Sequence, residues 1–205
     1  MTSLAVDHAA CAAALDAAGS SFALPIRLLP GAKRRGTTAL YAFCRRADDI
    51  VDDAADPKTA DSSLAAFEAE VGRALRGEPV EDPVLRALAD TVRRFGVPPR
   101  CISDILAGVR MDLSLSSYTN RAELDRYCRR VASAVGVAAV HIWGFIDPRA
   151  IERADDCGLA FQYTNILRDI PEDLARSRIY LPDEDLTACG CTAEELRAGR
   201  IHAGF

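Results

Sequence analysis

The sequence of 205 residues lacks a hydrophobic run long enough to cross a membrane. Its longest stretch without a charged residue, 131–146, is interrupted by Ser133 and Gly136, whereas a transmembrane helix needs roughly 20 apolar residues. We therefore interpret this stretch as a core helix. The alanine-rich N-terminus carries Asp7 and Asp16 and has no basic leader, so we expect no signal peptide.

The seven cysteines supply neither zinc-ligand spacing nor the disulfide framework of a small secreted domain. All are isolated except Cys189 and Cys191, so a reduced cytosol is the simplest setting and we expect a cytoplasmic protein. Nucleotide-binding loops are also absent, because neither a P-loop motif nor a GxGxxG motif occurs. Their absence disfavours nucleotide-type phosphate binding and a Rossmann site.

The chain has no excess of positive charge. Lysine and arginine number 25 against 30 aspartates and glutamates, which gives a formal net charge of −5. A nucleic-acid partner therefore lacks its usual electrostatic support, and we expect none. A local phosphate site is still compatible with this balance, because a few arginines or carboxylate-held metal ions can bind phosphate on an acidic protein.

The residues that are abundant favour helices. Alanine, leucine and arginine dominate, and no segment alternates between polar and apolar residues from one hairpin turn to the next. We predict an all-α fold and a single domain over 1–205. The predicted helices cover 4–18, 31–55, 58–76, 83–95, 99–112, 121–145 and 148–175, and a polar tail follows Leu181–Pro182.

The segment YAFCRRADDIVDD predicts a helix with one polar stripe. Its members Tyr41, Arg45, Asp48 and Asp52 follow i, i+4, i+7, i+11 spacing, which places them within about 60° of one another on a helix. Phe43 and its apolar neighbours point to another side. A solvent-exposed face explains these charges about as well as a functional site does, although like charges one turn apart destabilise a helix.

A second segment, FQYTNILRDIPED, repeats the pattern and weakens the solvent-face interpretation. Gln162, Asn165, Asp169 and Asp173 again share one stripe. Two helices with such oxygen ligands can face each other across a cavity, and Mg²⁺ prefers oxygen ligands together with waters and substrate phosphates. The two stripes therefore predict a magnesium-dependent diphosphate site.

Two residues of the second segment need separate comment. Pro171 removes a backbone hydrogen bond, so we expect a kink between Asp169 and Asp173. Arg168 lies away from the acidic stripe. That position leaves open a phosphate contact or, at least as well supported, an ion pair with a nearby carboxylate.

At these residues the sequence resembles the head-to-head trans-isoprenyl diphosphate synthases, namely the squalene, presqualene diphosphate and phytoene synthases. The similarity extends through ordered motifs: Ser20–Ser21–Phe22, LLP at 28–30, ALYAFCRRADDIVDD at 39–53, Met111–Asp112–Leu113, YCRRVASAVG at 127–136, GLAFQYTNILRDIPED and RIYLP. The resemblance implies an isoprenoid-synthase-type helical bundle around a central apolar cavity. It also implies that the domain is C-terminally truncated, since family members continue for several helices beyond the region of 196–205.

The resemblance implies an activity as well. Two farnesyl diphosphates would be joined to presqualene diphosphate or squalene, or two geranylgeranyl diphosphates to phytoene, in hopanoid, sterol or carotenoid biosynthesis. The matching Mg²⁺ ligands are Asp48, Asp52, Asn165, Asp169 and Asp173. The residues expected to catalyse are Tyr41, Arg45, Asp48, Asp52, Asp169 and Asp173. The residues expected to contact substrate are Ser21, Phe22, Tyr41, Arg45, Tyr127, Gln162 and Asn165.

The expected cofactor is Mg²⁺, with Mn²⁺ as an alternative, and NADPH is required only if the product is squalene. The expected partners are farnesyl or geranylgeranyl diphosphate, and peripheral contact with a membrane stays open because these molecules are lipophilic. Three other functions stay open too. They are a class I terpene cyclase, a non-catalytic helical member of the family and an inactive truncated copy.

Overall fold

Helices form almost all of the regular structure in a computed structural model that describes residues 3–113 and 117–199. Within these residues there are twelve α-helices and no strand, which confirms the predicted all-α class. Their bounds are α1 Ser3–Ala17, α2 Ala23–Leu28, α3 Gly31–Asp52, α4 Pro57–Leu75, α5 Pro83–Phe95, α6 Pro99–Met111, α7 Arg121–Cys128, α8 Ala134–Trp143, α9 Arg149–Arg168, α10 Ile170–Ala175, α11 Asp183–Ala188 and α12 Ala193–Arg197. A π-helical segment, Arg129–Ser133, joins α7 to α8.

Two long helices, α4 and α5, begin at an aspartate whose side chain caps the first turn. The Asp56 carboxylate accepts from the backbone N–H of Lys58 at 2.9 Å and begins α4, and Asp82 accepts from Val84 at 2.8 Å and begins α5. Both helices carry proline in the first turn, where its missing N–H has no helical partner to lose. These signals explain why the bounds of α4, α5 and α6 agree closely with the prediction.

The structure corrects the prediction in four places. It forms α2 inside a predicted loop, forms α11 and α12 inside the predicted polar tail, inserts the π-helical segment into the helix predicted over 121–145, and divides the helix predicted over 148–175 at Asp169. The added helices have five or six residues, which is too short for a hydrophobic period to appear. They depend on tertiary contacts and on caps such as the capping box of Thr192 and Glu195.

The largest hydrophobic core surrounds α3. Phe43 and Ala47 are fully buried, and the Phe43 ring stacks on Phe67 of α4 with ring centroids 6.0 Å apart. The predicted apolar side of α3 therefore does face neighbouring helices. Burial of this side fixes the rotation of α3, so that its polar stripe must point the other way.

No helix in the described ranges is both long enough and apolar enough to span a membrane. The uncharged stretch contributes α8, whose Ala138 and Ile142 are buried in the large core. Its interpretation as a core helix is confirmed.

A smaller core lies on the other side of the polar stripe of α3. It consists of buried side chains from the region before α7, from α7, from α9 and from the chain after α10: Tyr118, Leu124, Tyr127, Cys128, Ile166 and Tyr180. The space between the two cores holds the polar residues described next.

Candidate active site

A cleft of about 380 Å³ lies between α3, the end of α6, α7, α9, α10 and the segment that follows α10. Its lining residues are Arg45, Asp48, Val51, Asp52, Val109, Asp112, Tyr127, Gln162, Asn165, Ile166, Asp169, Asp173, Arg176, Arg178 and Tyr180. All five predicted Mg²⁺ ligands are among them. The structure thus brings the two acidic stripes to one cleft, as the sequence predicted.

The α3 wall of the cleft presents Asp48 and Asp52 one turn apart. Asp48 is accessible from the cleft, yet the surrounding protein removes much of its water, and this effect is the main cause that raises its pKa to about 7. Repulsion from Asp52 and then from Asp112 raises the pKa further. A carboxyl with this environment gains from a nearby cation, which would favour its charged form.

The opposite wall is divided at Asp169, where α9 ends and α10 begins. Asp169 has φ −100° and ψ 14°, outside the helical region, and Pro171 follows in the first turn of α10. The backbone N–H of Asp173 still donates to the Asp169 carbonyl oxygen at 2.9 Å, so the two carboxylates stay one turn apart. The predicted kink is therefore present, and it lies at Asp169 itself.

Arg168 forms an ion pair with its neighbour. Its Nε and Nη2 donate to the two carboxylate oxygens of Asp169, each at 2.6 Å. This hydrogen bonding lowers the pKa of Asp169. Because Arg168 is absent from the cleft lining, the structure favours the predicted ion pair over a phosphate contact.

Asp52 accepts from two arginines that the sequence analysis gave no role. Arg176 Nη1 lies 3.1 Å from one carboxylate oxygen, and Arg178 Nη2 lies 3.0 Å from the other. Both arginines come from the segment after α10, more than 120 residues away along the chain. No periodicity in the sequence could connect them to α3, although Arg178 belongs to the RIYLP motif.

Asp112 closes the inner part of the cleft. Tyr180 donates its hydroxyl to Asp112 Oδ1 at 2.9 Å, and Tyr127 donates to Oδ2 at 3.2 Å. The two tyrosine rings stack with centroids 5.2 Å apart. Burial raises the pKa of Asp112 to about 6, although the Tyr180 hydrogen bond and the charge of Arg178 act in the opposite direction.

Three predicted substrate contacts do not line this cleft. Ser21 and Phe22 are exposed in the turn that precedes α2, and Tyr41 is half-buried one turn before Arg45 on α3. Their assigned roles stay predictions. Gln162, Tyr127 and Arg45 do line the cleft, and their contact with substrate also stays a prediction.

The oxygen donors of the cleft suit a Mg²⁺ ion whose remaining ligands come from the substrate and from water. Within 3–113 and 117–199, no three His, Cys, Asp or Glu side chains are grouped closely enough to hold one metal ion by themselves. The cleft instead offers carboxylates at Asp48, Asp52, Asp169 and Asp173 and an amide at Asn165. Mg²⁺ is commonly bound by one or two carboxylates plus waters and phosphate oxygens, so these residues fit that ion.

Comparison with known proteins gives a consistent result. The family described as squalene/phytoene synthase matches residues 15–205. A phytoene synthase of Arthrospira platensis is 38% identical over 194 residues, which cover 88% of this chain and 62% of that protein. The chain spans about three fifths of the length of this relative and of a phytoene synthase from Pseudescherichia vulneris.

Two solved structures share the fold. Squalene synthase HpnC from Alicyclobacillus acidocaldarius superposes with a TM-score of 0.89 at 32% identity, covering 98% of this chain and 75% of that one. A dehydrosqualene synthase in complex with ligand gives a TM-score of 0.84 at 33% identity, covering 95% and 67% respectively. These matches confirm the resemblance that the motifs predicted.

Proposed function

Because this chain belongs to the squalene/phytoene synthase family, we propose that it acts as a Mg²⁺-dependent prenyltransferase that joins two allylic isoprenoid diphosphates head to head. The observation that carries the proposal is the meeting of the two acidic stripes at one cleft of about 380 Å³. Charges that serve only to solvate the surface do not need to lie on opposite walls of one cleft. A site that binds diphosphate through metal ions held from both sides does need this arrangement.

The proposed metal ligands are Asp48 and Asp52 on one wall and Asn165, Asp169 and Asp173 on the other. When bound, Mg²⁺ would neutralise the charge that develops on a departing diphosphate. Arg45, which lines the cleft and pairs with Asp49 at 2.7 Å, would add a positive charge on the same wall as Asp48. The apolar side of α3 is buried in the larger core, and Ile166 of α9 is buried in the smaller one, so both helices are anchored beside the cleft.

The remaining lining suits the carbon skeleton. The aliphatic residues of the lining are Val51, Val109 and Ile166, and because Val109 and Ile166 are buried, Val51 supplies most of their exposed surface. An allylic cation formed by loss of diphosphate reacts with water, so apolar walls protect it. We expect the isoprenoid tails to contact this aliphatic side, while the diphosphates contact the acidic side through metal ions.

The names of the relatives bear on the substrate. The curated relatives at 37–38% identity are phytoene synthases, which favours geranylgeranyl diphosphate, whereas the solved structures are squalene and dehydrosqualene synthases, which favour farnesyl diphosphate. We propose that the substrate is geranylgeranyl diphosphate and that the product is phytoene. Formation of phytoene from two geranylgeranyl units releases two diphosphates and two protons, so the reaction balances without a reductant. Squalene formation would need a hydride from NADPH.

Incubation with labelled geranylgeranyl or farnesyl diphosphate and Mg²⁺ tests the proposal. We expect Asp48→Ala and Asp169→Ala each to lower turnover at least about 100-fold while leaving the helical circular dichroism signal intact. Asp53→Ala is the matched control, because Asp53 directly follows α3 and does not line the cleft. A folded, full-length preparation that forms no head-to-head product from either substrate would contradict the proposal.

The alternative functions predict different outcomes. A class I terpene cyclase would convert a single diphosphate into a cyclic hydrocarbon, which product analysis separates from a coupled product. A non-catalytic scaffold should give no Mg²⁺-dependent heat when a non-hydrolysable farnesyl diphosphate analogue is titrated into it in a calorimeter.

Peripheral membrane contact is part of the proposal because both the substrate tails and the product are lipophilic. Leu24 and Leu28 of α2 are exposed by 67% and 79%, and they are the side chains most suited to such contact on that helix. Co-sedimentation with lipid vesicles, compared between the wild type and Leu28→Ser, tests it.

A further inference from the structure

The ion pairs at Asp52 place two positive charges on one carboxylate. Arg176 and Arg178 each take one of its oxygens, at 3.1 and 3.0 Å. Asp173 also lies near both arginines, which act to lower its pKa against the larger effect of burial. Both guanidinium groups face the cleft. They therefore occupy the position that a divalent cation would need if Asp52 is a ligand.

The two arginines differ in how firmly they are held. The Arg178 side chain is only 18% exposed, and although burial lowers its pKa, neighbouring groups including Asp112 and Asp52 raise it above its usual value. The Arg176 side chain is 61% exposed. Since Arg176 caps the end of α10 and projects into the cleft from there, its guanidinium can move without any rearrangement of the core.

We propose that Arg176 is an exchangeable counter-ion, which pairs with Asp52 as in this structure and moves onto the diphosphate when Mg²⁺ and substrate bind. Arg178 stays beside Asp52 and Asp112 as the fixed member of the pair. This inference rests on the proposed function. The exchange makes and breaks only ion pairs and hydrogen bonds.

Charge explains why such an exchange is favourable. A divalent cation approaching Asp52 is repelled by the two guanidinium groups, whereas a diphosphate that arrives with the metal attracts them. Guanidinium binds phosphate oxygens through two parallel hydrogen bonds, more strongly than it binds through one. Arg176 has one hydrogen bond to Asp52 in this structure, so it would gain hydrogen bonds by transfer to a phosphate. The pair would thereby favour binding of metal and diphosphate together over binding of metal alone.

The exchange predicts opposite effects in a single variant. In Arg176→Gln, removal of the competing cation should raise the affinity for Mg²⁺ alone about twofold to fivefold, as expected for one charge at a partly exposed site. The same variant should bind inorganic pyrophosphate at saturating Mg²⁺ about tenfold more weakly. Isothermal titration calorimetry measures both affinities without requiring turnover. Arg149→Gln is the control, because Arg149 pairs with Asp147 away from the cleft.

The outcomes separate this inference from the proposed function. If the wild type binds no pyrophosphate in the presence of Mg²⁺, both are overturned. If the wild type binds it but Arg176→Gln leaves both affinities unchanged, or lowers both as a structural defect would, only the exchange is overturned. A crystal structure with Mg²⁺ and pyrophosphate provides the direct check. Arg176 should contact a phosphate oxygen there, and an Arg176 still paired with Asp52 alone would contradict the exchange.

Discussion

Asp112 is the residue at which burial and hydrogen bonding oppose each other most directly in this cleft. Two tyrosine hydroxyl groups donate to its carboxylate, which favours the charged form, but burial is the larger effect and raises its pKa to about 6. The ordinary value is near 3.8. The ionised group is therefore a cost to the folded state at neutral pH.

The sign of this cost gives a stability prediction for Asp112→Asn. A carboxyl whose pKa is raised on folding stabilises the fold below about pH 4, and that contribution is lost as the pH rises through about 6. Asparagine keeps an acceptor for the tyrosines without the charge. We expect the variant to be more stable than the wild type at pH 8 by about 2 kcal/mol and to lose this advantage at pH 4.

Urea unfolding in EDTA at the two pH values measures the difference. Asp53→Asn removes the same charge from the exposed end of α3 and should change stability by less than about 0.5 kcal/mol. An Asp112→Asn variant that is equally destabilised at pH 4 and pH 8 would show that the carboxylate is needed for its hydrogen bonds rather than tolerated despite its charge.

At the scale of elements, the π-helical segment Arg129–Ser133 determines how closely the walls of the cleft approach. A Cβ atom added to Gly108 of α6 would lie 2.6 Å from a side-chain carbon of Val131, and one added to Gly158 of α9 would lie 2.5 Å from the Cα of Ser133. Each glycine stands one helical turn before a cleft residue, Asp112 or Gln162. Close backbone contact at the π-helical segment thus positions both walls.

Gly158→Ala tests this packing. The clash is with backbone atoms, which cannot rotate away, so we expect a loss of about 2–3 kcal/mol in unfolding free energy by urea titration. Gly72→Ala on α4 is the matched control, since its new methyl group would meet only the flexible end of Arg76. That control should be neutral or stabilised by up to about 1 kcal/mol. A Gly158→Ala chain as stable as the control would mean that α9 moves away at little cost.

Features that depend on local spacing in the sequence could be predicted, whereas features that depend on contacts between distant segments could not. The stripe of Asp48 and Asp52 was predictable, because helix geometry alone determines which residues share a face. Arg176 and Asp112 were not, because each reaches the cleft from a different element and no spacing relates them to α3. The π-helical segment has no sequence signature, and helices of six residues such as α2 and α11 are too short to show a period.

At the scale of the whole molecule, the cleft separates two hydrophobic cores. The larger core includes the buried side of α3 with Phe43, and the smaller core includes Tyr127, Ile166 and Tyr180. Five carboxylates and three guanidinium groups line the space between them, so part of the net acidic charge of the chain is concentrated there. The ion pairs of Asp52 with Arg176 and Arg178 bridge this space.

A metal–diphosphate complex that is held by both walls should therefore stabilise the whole fold. Asp48 on α3 and Asp169 between α9 and α10 would contact it from opposite sides, so unfolding either wall would lose the ligand. At a ligand concentration of 100 times Kd, we expect a gain of about 2.7 kcal/mol in unfolding free energy. Because each ligand supplies what the other lacks, Mg²⁺ with pyrophosphate should raise Tm by more than the two separate increases together.

EDTA should remove the gain, Asp53→Ala should retain it, and Asp169→Asn should reduce it. A gain of equal size with pyrophosphate alone, or one that persists in Asp169→Asn, would mean that the ligand binds one wall only, since a bridging complex requires the metal and both walls.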